Sequence, residues 1–81
     1  MKIRVLYFAR VAEIAGCQGE EIQVGDSACA GDVLAQVARR YPAMARPEFK
    51  PLLAVNRAHA GPACLLADGD EVAVFPPVSG G

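Results

Sequence analysis

The chain closes on Pro76-Pro77-Val78-Ser79-Gly80-Gly81, and the group there with chemistry to offer is the terminal carboxylate of Gly81. Glycines 80 and 81 carry no side chain, so a narrow tunnel in a partner could admit the backbone up to its last atom. With a reference pKa of about 3.3–3.7 the carboxylate is ionised at neutral pH and is a weak electrophile. Activation as an acyl-adenylate would make it open to attack by a sulfur or nitrogen nucleophile. The plain alternative is an inert flexible end. Two terminal glycines arise by chance in about 0.5% of chains, so the rest of the chain has to decide.

Other groups with chemical potential form no constellation. His59 stands alone in a loop-like segment, without a carboxylate or hydroxyl set around it, and reads as solvated. Cys17, Cys29 and Cys64 are odd in number and contain no CxxC spacing, which suggests neither a disulfide framework nor a zinc site. They read as small, partly buried, reduced apolar residues, not as a sulfur relay. Asp68-Gly69-Asp70-Glu71 resembles a fragment of a calcium loop but lacks the remaining ligand positions, so it reads as a hairpin turn. No metal site and no bound cofactor are expected.

At 81 residues and 53% hydrophobic content, the chain suits one small domain with an adequate core. Eight basic against nine acidic residues, spread along the chain, leave no basic footprint for nucleic acid. No apolar stretch approaches the roughly 18 residues of a membrane span, and the opening has no signal-peptide pattern. The expected location is the reducing cytoplasm.

The elements that must position the tail are short. Residues 2–8 are β-branched and aromatic and read as a strand, with Ile3, Val5 and Tyr7 on one face and Arg4, Leu6 and Phe8 on the other. Residues 10–15 suggest a helical turn stopped by Gly16, and residues 20–24 a second strand. The one long helix spans about 30–41, where Val33, Leu34, Val37, Ala38 and Tyr41 form an apolar stripe. Arg39 and Arg40 suit its C-terminal dipole and Pro42 stops it. Its start is weaker, because Cys29 sits where a hydroxyl cap is preferred, with Ser27 the alternative. Residues 43–50 read as an irregular connection, 52–56 as a short apolar strand, and 57–67 as undecided between a short strand and a loop. Asp68-Gly69 turns into the last strand, 71–75, which Pro76 and Pro77 end. The order β-β-α-β-β gives an α+β roll with one helix covering one sheet face. The expected division is a domain over 1–75 and an extended tail over 76–81.

Three stretches carry a resemblance. They are Val5-Leu6-Tyr7-Phe8-Ala9-Arg10 with Glu13-Ile14-Ala15-Gly16, then Ala54-Val55-Asn56, then Asp68 through Gly81. Together they resemble the small, sulfur-carrying subunit of molybdopterin synthase, a ubiquitin-like β-grasp family, over the whole length. The resemblance implies a mixed sheet with one main helix on one face and a flexible Gly-Gly tail. It further implies that a ubiquitin-activating-type enzyme uses ATP to adenylate Gly81, and that a sulfurtransferase converts the adenylate to a thiocarboxylate. The tail, Pro76 to Gly80, would enter the large catalytic subunit, in a two-plus-two assembly, and donate sulfur to cyclic pyranopterin monophosphate. The small subunit would then be the reagent, not an enzyme by itself.

In a β-grasp sheet the first and last strands are neighbours. If Ile3, Val5, Val72 and Val74 face the helix, Phe8 and Phe75 fall on the open side. They are therefore expected to form an aromatic patch beside the tail, where a partner anchors. The same fold and tail leave three rival readings: a sulfur carrier for thiamine biosynthesis, a ubiquitin-like modifier joined to lysines, and an interaction module with an inert tail.

Overall fold

A computed structural model of the chain describes residues 1–46 and 49–77. The readings made above for Val78, Ser79, Gly80 and Gly81 lie outside the described residues. Strand β1 (Lys2–Tyr7) is followed by a short helix α1 (Arg10–Ala15) and strand β2 (Gly19–Gln23). The main helix α2 (Ala30–Arg40) leads through a 3₁₀ turn (Pro42–Ala45) to β3 (Leu52–Val55), β4 (Ala58–Ala60) and β5 (Glu71–Phe75). The strands form one sheet in the order β2-β1-β5-β3-β4. Its centre pairs β1 with β5 in parallel, and every other neighbouring pair is antiparallel. This is the mixed β-grasp sheet that the resemblance implies.

Alternation along the strands decides which face is covered. Ile3 stands opposite Ile22, Val5 opposite Val72, and Tyr7 and Leu53 both opposite Val74. These residues are buried against Val33 and Val37 of α2 and Val11 of α1. Each fully buried valine contributes on the order of 1.5–3 kcal/mol, so the helix-facing side of the sheet is the core. The same alternation puts Glu20 on that side, since it pairs with Val5.

Glu20 is satisfied at the rim of the core. Its Oε2 accepts hydrogen bonds from the Tyr7 hydroxyl at 2.6 Å and the Tyr41 hydroxyl at 2.7 Å. The Arg40 guanidinium donates to Oε1. The two tyrosine rings meet edge to face, with centroids 5.9 Å apart. Burial pushes the Glu20 carboxyl up, but the tyrosine hydrogen bonds and Arg40 outweigh it and hold the group below its ordinary value. The hydrogen bond to Glu20 is the main reason that Tyr41 is pushed up to about 12. One carboxylate thus ties the C-terminal end of α2 to β1 and β2.

The start of α2 is fixed mainly by its surroundings. Cys29 is the capping residue, and the Asp32 carboxylate accepts from its backbone N–H at 2.9 Å and its thiol at 3.3 Å. The next N–H groups, of Ala30 and Gly31, donate to the carbonyls of Cys64 at 2.8 Å and Pro62 at 2.7 Å. A Cβ on Gly31 would stand 3.1 Å from the Pro62 carbonyl oxygen, so glycine permits that approach. Tertiary contacts replace the missing hydroxyl cap.

Two expectations change. The segment 57–67 supplies a fifth strand, β4, and the connection after α2 begins with a 3₁₀ turn. The β3–β4 hairpin turns on Asn56 and Arg57, both with positive φ (50° and 72°). Without a glycine, that turn gives no strong sequence signal.

Glu20→Ala should destabilise the domain by about 2–3 kcal/mol, because a carboxylate accepting several hydrogen bonds is removed. A depressed carboxyl pKa adds stability that is present above the unfolded-state value, about 4.3, and is lost as pH falls through the folded-state value. Denaturant titrations from pH 7 downward should show that loss in the parent chain, and the variant should lack this component.

Candidate docking face and tail exit

The face of the sheet away from α2 is built in rungs. Leu6 stands opposite Gly19 and Ala73, Ala73 opposite Ala54, and Ala54 opposite His59. This rung of mainly small side chains crosses all five strands of the sheet. On one side of it lies a charged rung, with Arg4 between Glu21 and Glu71. On the other side Leu52 stands opposite Phe75. A shallow groove of about 400 Å³ lies over the small rung and is lined by Leu6, Ala54 and Ala73, by Phe8 and Phe75, and by Arg57, His59 and Glu71.

Phe8 and Phe75 stack with centroids 4.7 Å apart and ring planes 10° from parallel. Such a pair contributes about 0.5–1.5 kcal/mol beyond its buried area. Phe8 is still 40% exposed, and the adjoining Leu52 39%, so the pair leaves an apolar surface open. Ala54 and Ala73, by contrast, are buried on this same face.

Phe8 lies one residue past β1 and is held by its neighbours. Its N–H donates to Val74 O at 3.2 Å, and its carbonyl accepts from Val11 N–H at 3.0 Å. Between them the chain passes through Ala9 at φ 50°, ψ −125°, a conformation rare for a residue with a Cβ. That strained corner turns the chain from β1 into α1. β5 ends at Phe75, and Pro76 and Pro77 have no N–H with which to extend the ladder. The tail therefore leaves from a central strand, next to the aromatic pair.

The structure brings Phe8, Phe75 and the Pro76-Pro77 exit together. Sequence reasoning missed Leu52, Ala54 and Arg57. Leu52 to Val55 is a continuous apolar run with no alternation, so its facing could not be read. His59, expected in a solvated loop, lies on β4 and lines the groove while remaining exposed. Cys17, Cys29 and Cys64 are free thiols, each partly buried.

The acidic turn is structural. Asp68 accepts the Lys2 N–H at 2.7 Å, while Gly69, at φ 86°, donates its N–H to Lys2 O at 2.8 Å. Asp70 accepts from Asn56 Nδ2 at 3.0 Å and from Ala67 N–H at 2.8 Å. The Asn56 hydrogen bond, helped by that of Ala67, holds the Asp70 carboxyl below its usual range. Asn56 Oδ1 in turn accepts the Glu71 N–H at 3.0 Å. These bonds lock the start of β5 to β1 and to the β3–β4 turn. Among the described residues no group of acidic, histidine or cysteine side chains could hold a metal ion. No helix among them is long and apolar enough to cross a membrane.

With a β-grasp sheet, a stacked aromatic pair and a proline-marked exit to Gly80-Gly81 in place, comparison with known proteins is decisive. The ThiS family model matches residues 5–81. The chain belongs to the ThiS family. It is 41% identical to the molybdopterin synthase sulfur carrier subunit of Chlamydomonas reinhardtii, covering 100% of both chains. Against the protein of that name from Escherichia coli it is 40% identical, covering 98% of this chain and 99% of the other. A solved structure of small archaeal modifier protein 1 from Haloferax volcanii superposes with a TM-score of 0.86 at 31% identity, over 100% of both chains. The β-grasp fold of this ThiS-family chain is thereby shown.

Ala9→Gly should relieve the strained corner. Strain of about 1–3 kcal/mol set against the added backbone entropy of glycine leaves an expected gain of about 1 kcal/mol, measurable by equilibrium denaturation.

Proposed function

We propose that this chain is the sulfur carrier subunit of a molybdopterin synthase, with Gly81 as its reactive residue. The observation that carries the reading is the placement of the tail exit. β5 delivers Pro76 from the middle of the sheet, beside the Phe8–Phe75 stack, and the sequence then runs to Gly80-Gly81. The full-length likeness to proteins named for this role supports it.

The chemistry follows from the carboxylate. An activating enzyme joins Gly81 to AMP from ATP, releasing pyrophosphate and making the acyl carbon electrophilic. A persulfide sulfur on a sulfurtransferase displaces AMP, and a thiol then reduces the acyl disulfide so formed, leaving a thiocarboxylate. The large catalytic subunit of the synthase then receives the tail, the thiocarboxylate sulfur attacks cyclic pyranopterin monophosphate, and water cleaves the resulting acyl–sulfur bond, which restores the carboxylate. The chain contributes no acid, base or metal to these steps.

The domain, residues 1–75, grips the partner, and residues 76–81 form the delivered segment. At no more than about 3.3–3.6 Å per residue, the five residues after Pro76 reach at most about 18 Å. Pro76 and Pro77 stiffen the first part of that reach and lower the entropy lost when the tail is inserted. Phe8 and Phe75 act as the anchor at its base. The likeness to an archaeal modifier protein makes lysine conjugation the alternative fate of the same activated glycine.

The deciding experiment is the intact mass after incubation with the activating enzyme, ATP and a sulfur source. The full-length chain should gain the difference between sulfur and oxygen, localised to Gly81 by fragmentation. A chain lacking Gly81 should fold normally and gain nothing. Absence of the gain with a demonstrably active charging system, or branched lysine conjugates instead, would overturn the sulfur-carrier reading. Phe75→Ala should weaken binding to the large subunit by about 1–3 kcal/mol. A lowered unfolding midpoint with unchanged binding would show that the ring serves only the fold.

A further inference from the structure

The β3–β4 hairpin turn holds a long cationic residue at a position whose conformation favours glycine. Its two turn residues, Asn56 and Arg57, both have positive φ, the geometry in which Asn followed by Gly is preferred. Asn56 is well suited, because its backbone N–H donates to Glu71 O at 2.8 Å and its side chain bonds both Asp70 and Glu71. Arg57 stands where glycine is favoured, at φ 72°. It makes no side-chain hydrogen bond or ion pair with any described residue, Glu71 of the same groove included. A long cationic side chain is therefore kept in a strained turn without a polar partner among the described residues. It is exposed and lines the groove that also holds Phe8 and Phe75.

We infer that Arg57 is a specificity-determining contact, whose guanidinium pairs with a carboxylate on the large synthase subunit when that subunit covers the Phe8–Phe75 groove. The inference rests on the reading of the groove as the docking face. Continuity with the aromatic pair selects a protein surface as the occupant, because the groove offers apolar rings and buried Ala54 and Ala73 beside the cation. Charge complementarity selects a carboxylate: a planar guanidinium with five donors matches it with two parallel hydrogen bonds. Covering by the partner would remove the pair from water, which strengthens it and makes a mismatched partner costly.

The test uses the full-length chain and the purified large subunit, with dissociation constants measured at low and high salt. Arg57→Gly should raise the thermal midpoint, since glycine suits the turn, yet weaken binding roughly tenfold or more. Arg57→Gln keeps the strain and removes the charge, so it should weaken binding similarly. Both variants should show a flatter salt dependence than the parent. Unchanged binding by both variants, while Phe75→Ala still binds more weakly, would overturn the role of Arg57 and leave the docking face standing. Unchanged binding by Arg57→Gly, Arg57→Gln and Phe75→Ala together would overturn the docking face itself. Weakening by Arg57→Gly but not by Arg57→Gln would assign the effect to turn shape and overturn the ion pair.

Discussion

The parallel pairing of β1 with β5 is the constraint on which the rest of this molecule depends. It joins the two ends of the chain at the centre of the sheet, with Val5 beside Val72 and Tyr7 beside Val74. Parallel neighbours need a long crossover, and here everything between them, including both helices and the other three strands, forms that crossover. The register is pinned at its start by the Asp68–Gly69 turn on Lys2 and by Arg4 N–H donating to Asp70 O at 3.0 Å. A shift by one residue would turn Val72 and Val74 out of the core.

The same pairing makes the candidate docking face. Since β1 and β5 run in the same direction, they end at the same edge, so Phe8 and Phe75 meet and the tail begins beside them. An antiparallel pairing would have sent the tail to the opposite end of the sheet. The core side contributes indirectly. Glu20, held by Tyr7, Tyr41 and Arg40, fixes the C-terminal end of α2 against the strands that carry Phe8 and Gly19. Strain lies near the candidate docking face, at Ala9 next to Phe8 and at Arg57 in the groove. Positions of that kind persist where surrounding structure determines them, and they cluster at working sites.

Local pattern made much of this readable. Alternation in residues 2–7 and 71–75 assigned Ile3, Val5, Val72 and Val74 to one face, and all four are fully buried. The stripe on residues 30–41 located α2, and Pro42 stopped it within a residue. Residues 57–67 were unreadable because β4 is three residues long and its hairpin turn lacks glycine. Leu52 to Val55 betrayed no facing, since that strand is apolar on both sides. Only pairing with β5 shows Leu52 beside Phe75 and Ala54 beside Ala73.

The amino-acid sequence by itself determined most element types, the apolar faces of β1, β5 and α2, and a glycine end without side chains. These follow from period, turn chemistry and composition, which act over a few residues. Tertiary structure alone decided that Glu20 is a satisfied rim carboxylate, that Asp70 and Asn56 clamp β5, and that Leu52, Ala54, Arg57 and His59 share a face with the aromatic pair. Those relations join residues 13 to 67 positions apart. They exist only once the sheet order is set, because no short-range pattern records which strand lies next to which.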